Sequence, residues 1–390
     1  MRLVAVSNKE DIDQFLRFAD QIYKNDPHWI KPLDKDIEGV FDPEKNKLFK
    51  RGGQVQRWLL KDKQEQTIGR IAAFVNPKYK EEQPTGGIGY FECIDNQEAA
   101  NFMFDHCKAW LAERGMVAMD GPINFGEREK WWGLLIEGYY EPLYQMTYNP
   151  PYYKALFENY GFQIYFNQEC FARQISLDFS PKLIERHAEV AQNKDFYVRH
   201  FKKGELEKFV SDFHVVYNDA WSVHGGGKEL SLQQAKQIFK SMLPAIEENL
   251  VWFTYYKDRP VAFWLNLPDL NQYFKHFNGK FSWVEKLKFV WMKFTRKPIK
   301  RAVGLVFGVV KDYQGKGVDA FMIIEGTKQI LKNTNYTEYE MQWIGDFNPK
   351  MINLAKTLDT KLTRRLATYR YHFDRTVPFK RHRMVGISKD

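Results

Sequence analysis

Residues 306–321 read Val306-Phe307-Gly308-Val309-Val310-Lys311-Asp312-Tyr313-Gln314-Gly315-Lys316-Gly317-Val318-Asp319-Ala320-Phe321. The first five are apolar and rich in valine, which is typical of a buried strand. The apolar pattern that continues to residue 331 predicts a helix. Two glycines lie between these patterns, so the segment predicts a strand, a short glycine-bearing loop and a helix in succession.

The predicted loop has the properties of a phosphate site. Gly315 and Gly317 let the backbone approach an anion closely, and the first N–H groups of the following helix would point into the same space. The positive end of the helix dipole favours an anion there, and Lys316 can add a charge. A plain strand–turn–helix connection explains the same residues, so the pattern by itself leaves both interpretations open.

The amino-acid sequence of this loop resembles that of a known family. Gln314-Gly315-Lys316-Gly317-Val318 is similar to the pyrophosphate loop of the GNAT acyltransferases, whose pattern is Gln/Arg-x-x-Gly-x-Gly/Ala. Gln314 and Gly317 match, whereas Asp319 stands where Gly or Ala is usual. Because a carboxylate repels a pyrophosphate, we expect Asp319 to point away or the site to be altered.

Composition restricts the class of protein and of partner. The chain has 390 residues, 44% of them hydrophobic and 16% aromatic, enough for two globular domains with full cores. Its net charge of +9 favours anionic partners such as CoA phosphates, anionic lipid or nucleic acid. Nucleic acid is not expected, because no zinc spacing, RNA-binding signature or helix-turn-helix pattern is present.

Cysteines and apolar runs predict the compartment. Cys93, Cys107 and Cys170 are far apart and odd in number, which is typical of buried, reduced thiols, and we expect no metal site. No run approaches the roughly 18 apolar residues of a membrane span, and the N-terminus lacks a signal-peptide pattern. A cytoplasmic protein is expected, with peripheral contact to the inner face of the membrane as a further option.

The order of elements repeats once. Strand, helix, strands and a strand–helix unit occur in residues 1–178 and again in 190–390, so we predict two domains joined by a polar linker at 179–189. The position equivalent to the glycine loop reads Asp95-Asn96-Gln97-Glu98-Ala99-Ala100 in the first domain. It has no glycine, and its acids would repel a phosphate. We therefore predict that the first domain keeps the fold and has lost the phosphate loop.

The whole chain resembles bacterial proteins with two GNAT domains in tandem. The phrases that carry this resemblance are Asp26-Pro27-His28-Trp29, Gly121-Pro122, Tyr148-Asn149-Pro150-Pro151-Tyr152-Tyr153, Tyr217-Asn218-Asp219-Ala220-Trp221, Leu267-Pro268-Asp269-Leu270-Asn271 and Trp343-Ile344-Gly345-Asp346-Phe347-Asn348. The fold class it implies is α/β (α+β): two GNAT-like domains, each a mixed, mostly antiparallel sheet flanked by helices.

The resemblance also implies an activity and a cofactor site. It implies transfer of an acyl group from acetyl-CoA or a longer acyl-CoA to a small-molecule or lipid amine, in the second domain. The strand residues Phe307, Gly308, Val309 and Val310 would pair with the pantetheine arm, and the loop residues Gln314, Gly315, Lys316, Gly317 and Val318 would hold the pyrophosphate.

Three residues are candidates for the chemistry. Asp346 follows an apolar strand and could take the proton of the amine, Asn348 could bind pantetheine or water, and Tyr369 could be the acid. Capping explains Asp346 and Asn348 equally well. Tyr369 lies in the strand after the last helix, although the family's tyrosine is usually in the helix itself. Asp269, Glu340 and His214 are further candidates for the base, each with a structural alternative.

Two alternatives stay open. The unusual Asp319 and the missing helix tyrosine are also consistent with a protein that binds CoA or an acyl ligand without catalysis. Residues 281–294, followed by Arg296, Lys297, Lys300 and Arg301, combine large apolar side chains with cations. At helical spacing these predict either a helix on an anionic membrane or an amphipathic helix packed on the domain. The first would favour a lipid substrate.

Overall fold

The structure is a computed structural model that describes residues 1–79, 81–221, 229–295 and 299–385. It is a mixed α/β protein with one largely antiparallel sheet of 14 strands flanked by helices. The predicted fold class is confirmed. Arg296 and Lys297 of the basic segment lie outside the described residues.

The first half contains the elements β1 (Arg2–Ala5), α1 (Lys9–Ile22), α2 (Asp34–Phe41), β2 (Gln54–Lys61), β3 (Thr67–Val75), β4 (Thr85–Cys93), α3 (Gln97–Ala112), β5 (Ala118–Gly121), β6 (Leu134–Glu137), α4 (Tyr153–Tyr160) and β7 (Gln163–Gln174). Capping residues in the sequence determine where several of these helices begin or end. Asn8 caps α1 by accepting the N–H of Asp11, and Gly161 ends α4 with a φ of 108°.

The second half contains α5 (Pro181–Ala191), β8 (Phe196–His200), α6 (Leu206–Trp221), α7 (Leu232–Met242), β9 (Val251–Tyr256), β10 (Arg259–Pro268), α8 (Asn271–Phe274), α9 (Trp283–Thr295), β11 (Arg301–Val309), α10 (Val318–Asn333), β12 (Glu338–Met341), β13 (Ile344–Gly345), α11 (Pro349–Thr357) and β14 (Lys361–His372). The segment predicted as a polar linker contains helix α5. The helix packs Leu183 and Val190 into the core of this half, so the few apolar residues of the segment are enough to fix it.

The two halves exchange their last strands. The order across the sheet is β1-β2-β3-β4-β5-β14-β7-β12-β11-β10-β9-β8. Strand β14, from the end of the chain, therefore pairs with β5 of the first half, and β7 pairs with β12 of the second. The two exchanged strands pair with each other along their length, antiparallel. Periodicity along the sequence does not show this exchange, because it depends on which strands meet in space.

A buried ion network lies where the halves meet. The Arg364 guanidinium on β14 donates to Glu340 on β12 at 2.7 Å, and Arg301 on β11 binds both Glu340, at 3.4 Å, and Asp269, at 2.8 Å. All four side chains are buried. Two arginines thus neutralise two carboxylates inside the core, which ties β14 to the second half.

Candidate functional site

The second half has an open strand edge. Strands β11 and β12 run parallel and pair from Arg301 with Glu338 to Gly304 with Met341. Beyond Gly304, β11 pairs with β10 alone, and β13 pairs with β7 instead. The parallel strands therefore diverge, and the backbone of residues 305–309 on the diverging side has no strand partner among the described residues. Such an edge can pair with an extended ligand that carries amide groups.

The glycine loop lies at the end of this edge. Gly315 and Gly317 have φ values of 73° and 80°, in the left-handed region that favours glycine. Gly317 is the N-cap of α10, a helix of 16 residues. Residues 314–316 are exposed, whereas Gly317 and the first turn of α10 are buried directly beneath them. This arrangement fits an anion, because a long helix directs its first N–H groups and its positive dipole end there.

Asp319 does not face this opening as a free carboxylate. Its Oδ1 accepts a hydrogen bond from Arg186 Nη2 of α5 at 2.5 Å, and the residue is 7% exposed. Val190, also on α5, packs close to Gly317. Helix α5 thus supplies the counter-charge for the one residue that departs from the expected loop pattern.

The other predicted cofactor residues lie together along the edge and the loop. Phe307, Gly308 and Val309 pair with Trp264, Phe263 and Ala262 of β10. The N–H of Val310 donates to Val261, and Gln314 Nε2 donates to the carbonyl of Val309 at 3.0 Å. Lys316 lies beside the ring of Tyr313, and Val318 is buried. The residues present therefore fit an acyl-CoA, with strand amides for the pantetheine and exposed loop amides for the phosphates.

The three residues predicted for the chemistry are not brought together. The Asp346 carboxylate follows β13 and binds Arg381 at 2.6 Å, and Asn348 caps α11 by accepting the N–H of Met351. Tyr369 lies on the exchanged strand β14, in the core of the first half, and its hydroxyl donates to Glu158 at 3.0 Å. Asp346 is the one of the three that directly follows β13, the short strand that pairs with β7 where β11 and β12 have diverged.

The other base candidates have structural partners. Asp269 and Glu340 belong to the buried arginine network, and burial raises the pKa of Asp269 despite the neighbouring Arg301. His214 Nε2 lies 3.1 Å from Asn218 Nδ2 on the same helix. Each of these groups is already bound within the protein, as expected for a structural role.

The first half starts the equivalent helix differently. The side chain of Asn96 caps α3 by accepting the N–H of Ala99, so the helix N-terminus has an internal partner. Beside β4, however, is an enclosed cavity of about 90 Å³. Glu92 on its wall accepts hydrogen bonds from Tyr23 and Tyr153 at 2.9 and 2.7 Å, and burial raises its pKa. No sequence motif indicated this cavity, since its residues come from distant segments.

Helix α9 presents large apolar side chains to solvent. Trp291 and Phe294 are 65% and 84% exposed, and the exposed set comprises Trp283, Val284, Leu287, Val290, Trp291 and Phe294. At about 100° per residue these six share an arc of about 120°. Phe289 and Met292 face the core instead. No helix among the described residues has both the length and the apolar character needed to cross a membrane.

Solved structures with this arrangement are tandem GNAT proteins, and the chain has that fold: two N-acetyltransferase-like halves in one polypeptide. A tandem GNAT protein from the clavulanic acid biosynthesis pathway superimposes with a TM-score of 0.50 over 97% of this chain and 99% of that one, at 10% identity. The GCN5-related glucosamine N-acetyltransferase region of a fungal multi-domain GH3 β-N-acetylglucosaminidase gives 0.54 over 95% of this chain, at 12% identity, and this chain spans 38% of its length.

Two curated proteins are similar along most of their length. One is the bacterial ceramide synthase of Caulobacter vibrioides, 24% identical over 92% of this chain and 94% of the relative. The other is protein YghO of Escherichia coli K12, 24% identical over 93% of each. No family model matches the chain.

Proposed function

We propose that the protein is an acyl-CoA-dependent N-acyltransferase whose second half binds the acyl-CoA. The observation that carries this proposal is the open edge of β11, which leads directly to the exposed glycine loop at the N-terminus of α10. Acetyl-CoA and longer acyl-CoAs share the parts that this arrangement fits. The similarity to a bacterial ceramide synthase supports an acyl transfer to a lipid amine.

The reaction needs a proton acceptor. Bound acyl-CoA supplies a thioester whose carbonyl carbon is open to attack. The amine nitrogen bonds to that carbon, the carbon–sulfur bond breaks, and one proton passes from nitrogen so that an amide and a free thiol result. We propose Asp346 as the acceptor of that proton, because it directly follows β13, on the side where the parallel strands diverge. Asn348 as a ligand of pantetheine or water stays a prediction. Tyr369 as proton donor stays a prediction.

Calorimetry with CoA tests the cofactor site. Gln314→Ala combined with Lys316→Glu changes only exposed loop positions, so the variant should fold normally and lose most of its CoA affinity. Lys332→Glu, at the exposed far end of α10, makes the same charge reversal and should leave the affinity unchanged. Equal affinities in the loop variant and the wild type would exclude this site.

A specific observation also favours binding without catalysis. The Asp346 carboxylate is already bound to Arg381, and Asn348 is used as a helix cap. Release of free thiol from acetyl-CoA and palmitoyl-CoA, measured against a panel of amines, separates the two functions. Turnover that is lost in Asp346→Asn and kept in His214→Ala supports the enzyme, whereas CoA binding without any thiol release supports the binding protein.

We further propose that the acceptor is a lipid amine reached at an anionic membrane surface. The apolar arc of α9 is bordered on its two sides by Lys286 and Lys288, an arrangement that places rings in the interface and lysines at the headgroups. In vesicle flotation, Leu287→Glu with Trp291→Glu should abolish binding to anionic vesicles. The control is Leu177→Glu with Ile184→Glu, two exposed apolar residues outside α9. No flotation of the wild-type protein would exclude the membrane contact.

A further inference from the structure

The first half carries a cationic groove that the proposed acyl transfer does not use. It has a volume of about 720 Å³ and lies between α2, the end of β3 and the loop after β5. Its charged lining residues are Lys35, Lys45, Lys47, Lys78, Arg128 and Lys130, with Asp36 and Glu127 as the anions. The groove is therefore strongly positive. These cations lie away from the N-terminus of α3, where the side chain of Asn96 already accepts a helix N–H.

Several of these cations lack an anionic partner. Lys45 binds Asp42 at 3.0 Å and Lys130 binds Glu127 at 2.7 Å, while the Asp36 carboxylate accepts the hydroxyl of Tyr144. The remaining cations of the groove have no ion pair within 4.0 Å among the described residues; they are Lys35, Lys47, Lys78 and Arg128. A group of unpaired cations on one concave surface raises the local concentration of anions.

Arg128 is the most informative of them. Its Nε and Nη2 atoms are buried and have no hydrogen-bond partner within the part of the chain that the structure describes. The rings of Trp132 and Phe166 each lie 5.4 Å from its guanidinium, and the indole N–H of Trp132 is likewise buried without a partner. Buried donors are nearly always satisfied in folded proteins, and a guanidinium fork matches phosphate oxygens in pairs.

The floor of the groove is also the wall of the cavity beside Glu92. Trp131 and Gln145 line both spaces, and the Trp131 N–H donates to the carbonyl of Gln145 at 2.7 Å. Both residues have a positive φ, 43° and 62°, and Tyr90 on the cavity wall has 53°. Non-glycine residues are rarely held in this region, and such strain concentrates at ligand sites and active sites.

We propose that this groove binds a phosphate-bearing ligand, with the phosphate on Arg128 and the unpaired lysines and the rest of the ligand directed past Trp131 towards the Glu92 cavity. The unpaired cations favour an anion, the aromatic walls suit a flat or apolar body, and the cavity accommodates a small end group. The site goes beyond the acyl-CoA loop of the second half and does not depend on it. The phosphate can belong to a nucleotide, as in the adenosine part of CoA, or to the headgroup of an amphiphile.

Calorimetric titration of the full chain with 3′,5′-ADP, phosphoethanolamine and pyrophosphate tests the site. Charge-assisted hydrogen bonds of this kind change affinity by about tenfold or more, so Arg128→Gln should weaken binding of the preferred probe by at least that factor. Arg17→Gln removes the same charge from an exposed position on α1 and should have no effect. Preference for 3′,5′-ADP identifies a nucleotide as the source of the phosphate, and preference for phosphoethanolamine identifies a headgroup.

The proposal is overturned if none of the three probes binds, or if Arg128→Gln binds them as the wild-type protein does. If Arg128→Gln does not fold, Lys47→Gln with Lys78→Gln changes the same surface without a buried position. Loss of this binding in Gln314→Ala with Lys316→Glu would place the probe in the second half and also contradict the proposal. The loop variant and the groove variant therefore report on separate sites.

Discussion

The two halves share a fold but differ in how their equivalent helices begin and in where their unpaired cations lie. In the second half, α10 begins at Gly317, directly after the exposed residues 314–316 and beside the open edge of β11. In the first half, α3 begins at Asn96, whose own side chain occupies the helix start, and the unpaired cations lie in a groove on other loops. A repeated fold thus preserves the sheet while the exposed polar groups differ, so the two halves need not share a function.

The largest effect is expected at the contact between the halves. Arg364 is fully buried against Glu340, so Arg364→Ala leaves this buried carboxylate with only the longer 3.4 Å ion pair to Arg301. The substitution should lower the free energy of unfolding by about 3 kcal/mol. The half-exposed neighbouring pair Arg365 and Glu137 provides the control, and Arg365→Ala should cost about 1 kcal/mol or less. Urea unfolding followed by circular dichroism measures both.

Because β14 of the second half pairs with β5 of the first within one continuous sheet, the same unfolding curves should show one cooperative transition. Two separate transitions, with only one shifted by Arg364→Ala, would show that the halves are independent modules.

Alanine substitutions at the two loop glycines, Gly315 and Gly317, should destabilise the protein to different extents. At Gly317 an added Cβ would lie 2.5 Å from the backbone oxygen of Arg186, whereas at Gly315 nothing lies within 4 Å. Both have positive φ, so Gly315→Ala should cost about 1–2 kcal/mol from backbone strain alone. Gly317→Ala should cost about 2–4 kcal/mol because a steric clash is added. Thermal unfolding compares the two, and equal costs would show that α5 does not constrain the loop.

Glu92 should make the stability of the first half depend on pH. Burial raises its pKa, so the folded protein keeps this proton at pH values where the unfolded chain has lost it. Stability from this group therefore falls as the pH rises from the ordinary glutamate value towards the raised pKa, by about 1.4 kcal/mol per unit of difference. Glu92→Gln removes the dependence, so its stability relative to wild type should improve over that window.

Urea unfolding between pH 4.5 and 7 measures this trend, with the exposed Glu44→Gln as the control. A difference between Glu92→Gln and wild type that shrinks with rising pH would contradict the assignment.

The smallest expected effect is on CoA affinity, after removal of Arg186, which pairs with Asp319 beside the loop. Arg186→Gln frees the Asp319 carboxylate near the phosphate position and should weaken CoA binding by about fivefold, equivalent to about 1 kcal/mol. Adding Asp319→Asn should restore the affinity, because the repelling charge is gone. Calorimetry of the two single variants and the double variant measures the coupling. If the two substitutions changed the CoA affinity independently, the ion pair between Arg186 and Asp319 would serve only to hold α5 against α10.

Much of the fold follows from local patterns. The strand, loop and helix at 306–331 were predicted from neighbouring residues, and the structure contains them. Helix α5 was missed because few of its positions are apolar. The exposure of α9 could not be predicted, since the same amphipathic spacing fits a packed helix and an unpacked one.

The candidate sites also differ in whether neighbouring residues in the sequence could reveal them. The glycine loop is contiguous in sequence and could be recognised there. The groove at Arg128 could not, because Lys47, Lys78 and Trp132 become neighbours only through tertiary structure. The position of Tyr369 depends in the same way on tertiary structure, because its strand pairs with β5 of the first half.

The exchanged strands also set the order of events during synthesis. Tyr369 pairs with Gly121, so about 250 residues separate partners on adjacent strands. While the ribosome is still making the second half, β5 has no neighbour on one side and stays an open template for other chains. Contacts this distant slow folding, since a long loop must close before they form. We therefore expect nascent chains to depend on chaperones until residues 361–372 emerge, and the first half to acquire its finished core last.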